Sequence, residues 1–281
     1  MRPSTDEIAQ SILEYYELPE NPPAPFENFP GAAGLPHHEV VDRIASDPGF
    51  QAERIAELKN DPSLPQYREE ASGLLASLAE AGLPVLVVEH LHQLQVNGEK
   101  LDYKAQVPLL VEWLDRTDYF PLMAELVRTL SFAFAKKQAR PVFLRLFRDL
   151  PELRRAAGYE VTEYERENLR WTIGLGLAKF ADPTVADEYL DLITDPKYGE
   201  ARMELVSALP KLKDDRSAAV AMGLLDDPSV AHMAVRALGK LNHTEAKPRI
   251  RALLDEPPST WDENEVYNVR TEARKALKKL G

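Results

Sequence analysis

Apolar and small residues recur along this chain at five fixed offsets, 0, +4, +7, +8 and +11, counted from a first apolar position. The pattern is clearest in four stretches, which begin at Leu169, Ala201, Val230 and Val269. At about 100° per residue the offsets cover roughly 100° of a helix surface, so each stretch predicts a helix with one buried stripe. The small residue at +7 predicts close contact with a neighbouring helix. Looser copies begin at Leu83 and Leu122.

A second pattern alternates with the first and places apolar residues at +2, +5 and +6 from a position that is often proline, as at Pro108, Pro141 and Pro248. Proline is tolerated in the first turn of a helix, so these prolines predict helix starts. Because the combined patterns return every 29 to 47 residues, they predict an all-α solenoid of about six to seven helix pairs. The repeated pairs are predicted over residues 66–81 with 83–97, 102–115 with 119–135, 138–149 with 163–180, 183–194 with 198–212, 215–226 with 228–241, and 244–255 with 263–280. Longer insertions, predicted to protrude, lie around residues 151–165 and 256–264.

The first part of the chain differs from the repeats. Residues 4–17 predict a short helix with Ser4 as its N-cap, and the proline-rich segment 19–36 excludes a continuous helix. Helices are expected to resume over residues 37–46 and 50–60. The sequence thus predicts an N-terminal helix and acidic strap over residues 1–36, followed by a solenoid over 37–281.

Charge and cysteine content narrow the function classes. The net charge is -12, of which residues 1–50 contribute -7 through nine acids and two bases, so the acidity belongs mainly to the N-terminal region. The absence of cysteine excludes disulfides, thiolate catalysis and cysteine-ligated zinc sites. No apolar run approaches the length of a membrane span, and the first residues do not have the pattern of a signal peptide. These features predict a cytoplasmic protein without a membrane segment.

The segment DPSVAHMAVRALGKL, residues 227–241, resembles the second helix of a HEAT repeat, especially the short HEAT-like repeats named for phycobilisome lyases. Ala231 stands where that repeat has an arginine, whereas Arg170, Arg202 and Arg270 occupy the position in other copies. The resemblance is strong over residues 167–281 and weaker over 66–166. It implies a right-handed stack of antiparallel helix pairs and a scaffold or adaptor role, but no lyase activity.

Two sets of positions around the buried stripe carry polar chemistry. The arginines at +1 are predicted to form a structural ladder by reaching backbone carbonyls or carboxylates such as Asp195 or Asp227. Offsets +2, +6 and +9 lie opposite the stripe and should line the concave surface of a solenoid, with four bases and one acid among eighteen positions. The candidate binding residues on this surface are Trp171, Leu175, Met203, Arg128, Arg236 and His232. Whether residues 150–165 or the N-terminal strap cover the apolar patch stays open.

Catalytic motifs give no positive signal. The chain has no P-loop, no G-x-G-x-x-G and no G-x-S-x-G, and its histidines lack ligand companions at helical spacing. We therefore expect no catalytic residues, no cofactor and no metal. The leading expectation is a non-catalytic scaffold that binds another protein on its concave surface. A nucleic-acid role of the alkylated-base-excision type, which the thin row of bases disfavours, and an immunity or inhibitor protein acting through the acidic N-terminal region are the alternatives. The partner and the oligomeric state are not encoded in any recognisable motif.

Overall fold

The computed structural model describes residues 4–16, 55–96, 99–156 and 159–281, and within these ranges the protein is predominantly helical. Residues 55–60 are helical, and a short antiparallel pair is formed by β1 (Gln95–Val96) and β2 (Glu99–Lys100). The helices are α1 (Thr5–Tyr16), α2 (Leu64–Glu70), α3 (Ser72–Glu80), α4 (His90–Gln93), α5 (Val107–Arg116), α6 (Phe120–Leu130), α7 (Lys136–Arg148), α8 (Glu163–Phe180), α9 (Ala186–Thr194), α10 (Met203–Ser207), α11 (Leu209–Leu212), α12 (Arg216–Gly223), α13 (Ala231–Lys240), α14 (Lys247–Asp255) and α15 (Glu263–Leu280). Short 3-10 segments lie at Lys104–Gln106, Ala133–Ala135, Pro183–Val185, Pro196–Arg202 and Thr244–Ala246.

The chain divides into two compact units. Unit 1 comprises residues 1–109 with 156–158, and unit 2 comprises residues 110–155 with 159–281. The domain boundary predicted after residue 36 lies outside the described residues, as do the proline-rich segment 19–36 and the helix predicted over 37–46. The predicted N-cap of α1 is confirmed: the backbone N–H of Glu7 donates to Ser4 Oγ at 3.3 Å, and the backbone N–H of Ser4 donates to Glu7 Oε2 at 2.6 Å.

Unit 1 does not follow the repeat pattern over residues 83–97, so the helix predicted there is wrong apart from α4. Tyrosine hydroxyls take the backbone amides that a helix would have used: Leu86 N–H donates to Tyr16 Oη at 3.0 Å, and Val88 N–H donates to Tyr67 Oη at 3.1 Å. The Tyr16 hydroxyl also lies 2.6 Å from His90 Nδ1. Most apolar residues of this segment (Leu83, Val85, Val87, Val88, Leu91 and Leu94) are buried nonetheless, because a run of short turns can bury them without helical periodicity.

Unit 2 is built from two series of helices. In the first series α6, α8, α10, α13 and α15 each contact the next member. In the second series each helix contacts the first-series helix that follows it in the chain, α7 on α8, α9 on α10, α12 on α13 and α14 on α15. Each described helix pair therefore packs on its neighbour through the first series.

The five-offset pattern is confirmed as the buried stripe of these first-series helices. Every one of the twenty stripe positions in the four clearest copies is buried except Leu241 and Leu277, which are half-buried. Two glycines of α8 allow the close contact between helices that the small residues of the pattern led us to expect. A Cβ on Gly176 would lie 2.4 Å from the Phe143 ring, and one on Gly174 would lie 2.7 Å from the carbonyl oxygen of Ala201.

The helix predicted over residues 198–212 is interrupted. Gly199 has φ +45° and ψ -133°, which breaks the segment before α10, and Lys213 ends α11 in the left-handed region at φ +51°. Pro210, which lacks a backbone N–H, lies in the first turn of α11 and marks a second break after Ser207. By contrast, α8 and α15 begin and end at the predicted residues 163–180 and 263–280.

The insertion over residues 151–165 protrudes less than predicted. Leu150 and Leu153 are buried, and Arg154 pairs with the start of α6 through two backbone hydrogen bonds. Its N–H donates to Asp118 O at 3.0 Å, and its carbonyl accepts from Phe120 N–H at 2.9 Å. This part of the insertion consequently packs on unit 2.

Candidate functional site

The candidate surface is centred on α8, whose start is fixed by a reciprocal capping box. Glu165 N–H donates to Thr162 Oγ1 at 3.2 Å, and Thr162 N–H donates to Glu165 Oε2 at 3.0 Å. Because Leu169, Ile173 and Leu177 face the core, the helix turns its other side outward. Trp171 and Leu175 lie on that side and are half-buried.

Trp171 has an unusual polar feature. Its indole Nε1 is enclosed by protein and finds no hydrogen-bond partner among the described residues. A buried indole N–H normally has a partner, because leaving it unpaired costs about 1–3 kcal/mol. The side chain as a whole keeps an exposed part, so its ring is accessible while its donor is not satisfied.

Met203 lies on the next helix of the first series, α10. It is the first residue of α10, is half-buried, and lies at the same offset as Trp171 in its own copy. Since α8 and α10 are in contact, Trp171, Leu175 and Met203 belong to neighbouring helices. Aromatic residues and methionine that are partly exposed on one surface are enriched at protein interfaces.

Arg236 is placed on α13 and is engaged within the molecule. Its Nε and Nη2 each donate to a carboxylate oxygen of Glu272 at 3.0 Å, and Lys275 donates to the same carboxylate at 2.8 Å. Hydrogen bonding from Arg236, which outweighs the effect of burial, lowers the pKa of Glu272 to about 2, with Lys275 contributing. The Arg236–Glu272 pair is therefore a bidentate ion pair that links α13 to α15.

The two remaining predicted site residues flank this arrangement. His232, also on α13, is half-buried, and burial together with the nearby Arg236 lowers its pKa, against the effect of Glu272. Arg128 is exposed on α6, the first-series helix that contacts α8. The six predicted residues are therefore carried by the consecutive helices α6, α8, α10 and α13.

The predicted arginine ladder is confirmed at the +1 positions. Arg170 Nε donates to Phe147 O at 3.1 Å, Arg202 Nη1 to Ile193 O at 3.1 Å, and Arg270 Nε to Leu254 O at 3.1 Å. Each acceptor is the penultimate residue of the second-series helix that precedes the arginine, where carbonyls lack intrahelical partners. The arginines thus cap the C-terminal ends of α7, α9 and α14 with positive charge.

Arg202 does more than the other two. Its Nη2 donates to Asp227 Oδ2 at 2.6 Å and its Nε to Gly199 O at 3.0 Å, while its side chain is only 2% exposed. Asp227 in turn accepts from Ser229 N–H at 3.1 Å in the turn before α13. One guanidinium therefore ties α9, the break at Gly199 and the start of the next repeat together.

Sequence reasoning missed a row of lysines at offset +10. The four clearest copies carry Lys179, Lys211, Lys240 and Lys279 at this position, near the C-terminal ends of α8, α11, α13 and α15. The signal was present in the same register, one helical turn beyond the +6 positions. Next to the last two members lies a pocket of about 450 Å³ lined by Arg236, Gly239, Lys240, Glu272, Lys275, Ala276 and Lys279.

The described residues hold neither a metal-ligating cluster nor a membrane-spanning helix. No group of three or more His, Asp or Glu side chains within residues 4–16, 55–96, 99–156 and 159–281 converges as a metal site requires. Across the same part of the chain, no helix is both long and apolar enough to cross a lipid bilayer.

Comparison with known proteins gives one match. Residues 230–256, which comprise α13, the 3-10 turn after it and α14, match the family model described as PBS lyase HEAT-like repeat. No curated protein and no solved structure matches the chain. The resemblance seen in residues 227–241 is thus confirmed, and residues 230–256 are similar to a HEAT-like repeat of the PBS lyase type.

Proposed function

We propose that unit 2 is a right-handed solenoid of HEAT-like helix pairs, and that the protein is a non-enzymatic, cytoplasmic scaffold that binds a partner protein. The contacts between successive first-series helices support this arrangement, as do the equivalent arginine caps in three repeats. In such a stack the first-series helices line one continuous surface, which in this chain carries the candidate residues.

The observation that carries the functional proposal is the half-buried apolar patch of Trp171, Leu175 and Met203 on α8 and α10. A partner side chain placed against the exposed part of Trp171 would complete the burial of its ring. Aromatic anchors of this kind contribute most of the free energy of many protein complexes. Arg236 is already paired with Glu272, so we place it at the edge of the partner-binding surface rather than at its centre.

The proposal is tested by affinity capture with the full-length protein, its Trp171→Ala variant and a Trp261→Ala control. Trp261 is also half-buried but lies in the loop between α14 and α15, away from the α8 surface. We expect Trp171→Ala to weaken the captured complex by more than about 1 kcal/mol, while Trp261→Ala retains it. Circular dichroism must show that both variants keep their helical content. Equal capture by all three proteins would refute the site.

A further inference from the structure

The lysine row is unusual because four successive repeats place the same residue type at one position in a protein of net charge -12. A single lysine in the last turn of a helix is explained by the helix dipole. Four in register also repel one another where their helices pack side by side, and this repulsion costs stability. An anionic ligand would remove that cost.

The charges of the row act on one another. Lys211 Nζ donates to Ala178 O at 2.8 Å, at the end of α8. Burial lowers the pKa of Lys211, and the nearby Lys240, Lys136 and Lys179 lower it further, whereas Glu204 raises it. The ammonium groups of Lys179 and Lys240, on two other helices, therefore lie close enough to Lys211 to lower its pKa.

The pocket beside Lys240 and Lys279 gives the row a defined end. A Cβ on Gly239 would lie 3.0 Å from Ala276 Cβ, so small residues let α13 and α15 approach closely at its floor. The long side chains of Arg236, Lys240, Lys275 and Lys279 line the pocket, and its one carboxylate, Glu272, is already bonded to Arg236 and Lys275. Four bases and one acid leave a net positive lining that suits a carboxylate or a phosphate.

Spacing distinguishes between the anions that fit a row of this kind. Packed helices lie about 8–10 Å apart, which places one lysine per repeat at about that interval. A peptide in the polyproline II conformation advances about 3.1 Å per residue with three residues per turn, so every third side chain lies on one face and matches the interval. Double-stranded DNA carries one charge per about 1.7 Å of its axis, far denser than the lysines. The spacing therefore favours an acidic peptide over a nucleic acid.

We propose that the lysine row binds an extended acidic segment of the partner, with a carboxylate at about every third residue and the last carboxylate in the pocket beside Lys240 and Lys279. This inference rests on the proposed function, because it names the chemistry of the partner that unit 2 is proposed to bind. The carboxylates would pair with Lys179, Lys211, Lys240 and Lys279 in order along the stack.

The probe is a short fluorescein-labelled peptide with glutamate at every third position and serine and glycine between, measured by fluorescence anisotropy at low salt. A peptide of the same composition with its glutamates contiguous, and a thymidine oligonucleotide of equal length, serve as competitors. We expect the evenly spaced peptide to bind and the contiguous one to bind more weakly. Added salt should weaken binding, because the contacts are ionic.

Two sets of substitutions separate the row from general charge. The row variant carries Lys179→Gln, Lys240→Gln and Lys279→Gln, and leaves Lys211 in place because its bond to Ala178 helps to hold the fold. The control variant carries Lys100→Gln, Lys104→Gln and Lys197→Gln, which change the net charge equally outside the row. We expect the row variant to bind the peptide about tenfold more weakly and the control variant to bind it as the parent protein does.

Three outcomes would overturn the inference: no binding of the spaced peptide at low salt, equal loss in both variants, or a thymidine oligonucleotide that binds more tightly than the peptide. If the row fails while capture still depends on Trp171, the scaffold proposal stands and only the acidic partner is refuted.

Discussion

Arg202 and Ala231 occupy the same offset in neighbouring repeats, yet only the arginine binds the end of the preceding helix. Arg202 donates to Ile193 O, whereas the equivalent carbonyl before Ala231, that of Met222, accepts from the backbone N–H of Leu225 at 3.4 Å. The chain itself closes α12, so no guanidinium is needed and a small buried residue fits. The +1 position is thus a structural slot whose occupant depends on how the preceding helix ends.

The ionic link does not disappear from the Ala231 repeat but moves to another pair of helices. There Arg236 reaches across to Glu272 and joins α13 to α15. In the Arg202 repeat the guanidinium joins α9 to the turn at Asp227. Each of these two repeats therefore has a charge contact with a neighbouring element, and the contact is placed differently in each.

The largest effect is expected from Arg202→Ala. The substitution removes a fully buried guanidinium and leaves Asp227 and the carbonyls of Ile193 and Gly199 without it. We expect the free energy of unfolding to fall by about 3–5 kcal/mol, measured by urea denaturation with circular dichroism. Arg202→Lys should recover only part of the loss, because an ammonium group cannot reproduce the three directed hydrogen bonds of the planar guanidinium. A loss below about 1 kcal/mol for Arg202→Ala would show that the slot is not structural.

The next effect depends on pH and concerns the Ala231 repeat. The pKa of Glu272 is lowered to about 2 from an ordinary value of 4.5, so the charged carboxylate stabilises the folded state. This contribution is complete above about pH 4.5 and is lost as the pH falls towards 2, with an upper limit of about 3 kcal/mol.

The measurement is the difference in unfolding free energy between the parent protein and Glu272→Gln at several pH values. The difference should be largest near neutral pH and should shrink between about pH 4.5 and 2. Glu256→Gln, which removes an exposed carboxylate after α14, is the matched control for the loss of one negative charge. A constant difference across this range would mean that the Arg236–Glu272 pair does not link α13 to α15 energetically.

Smaller effects are expected from Arg170→Ala and Arg270→Ala. Each of these arginines donates to one helix-end carbonyl, and neither has an aspartate contact like the one between Arg202 and Asp227. We expect each substitution to lower the unfolding free energy by about 1–2 kcal/mol, in the same urea experiment. If either substitution lowered the unfolding free energy as much as Arg202→Ala does, the bond to the helix-end carbonyl, rather than the contact with Asp227, would explain the stability that Arg202 contributes.

The fold of unit 2 was largely encoded in local periodicity. The bounds of α8 and α15 follow from the apolar pattern, and the arginine ladder follows from its offset beside the stripe. The break before α10 could not be read in this way, because Gly199 at positive φ is a conformational choice that tertiary packing decides. The helix predicted over residues 83–97 was wrong for a related reason. Backbone N–H groups of this segment donate to the hydroxyls of Tyr16 and Tyr67, which are distant in sequence, instead of to helical carbonyls.

The helices that carry the candidate residues were predictable, but the pairing of their side chains was not. Sequence spacing placed Trp171 and Leu175 on one helix and Met203 on the next, and these two helices are in contact. It could not show that Arg236 is held by Glu272, because that contact joins residues 36 apart and depends on how α13 and α15 pack. The lysine row was present in the register, at an offset outside the rows chosen as the inner surface.

The most direct test of the account is site-specific photo-cross-linking in the native cell. A benzophenone amino acid replaces Leu175, which is half-buried on α8, or Ala252, which is exposed on α14 of the second series. We expect a discrete protein adduct from position 175 and none from position 252. An adduct from position 252 alone, or no adduct from position 175 in a protein that remains folded, would contradict it.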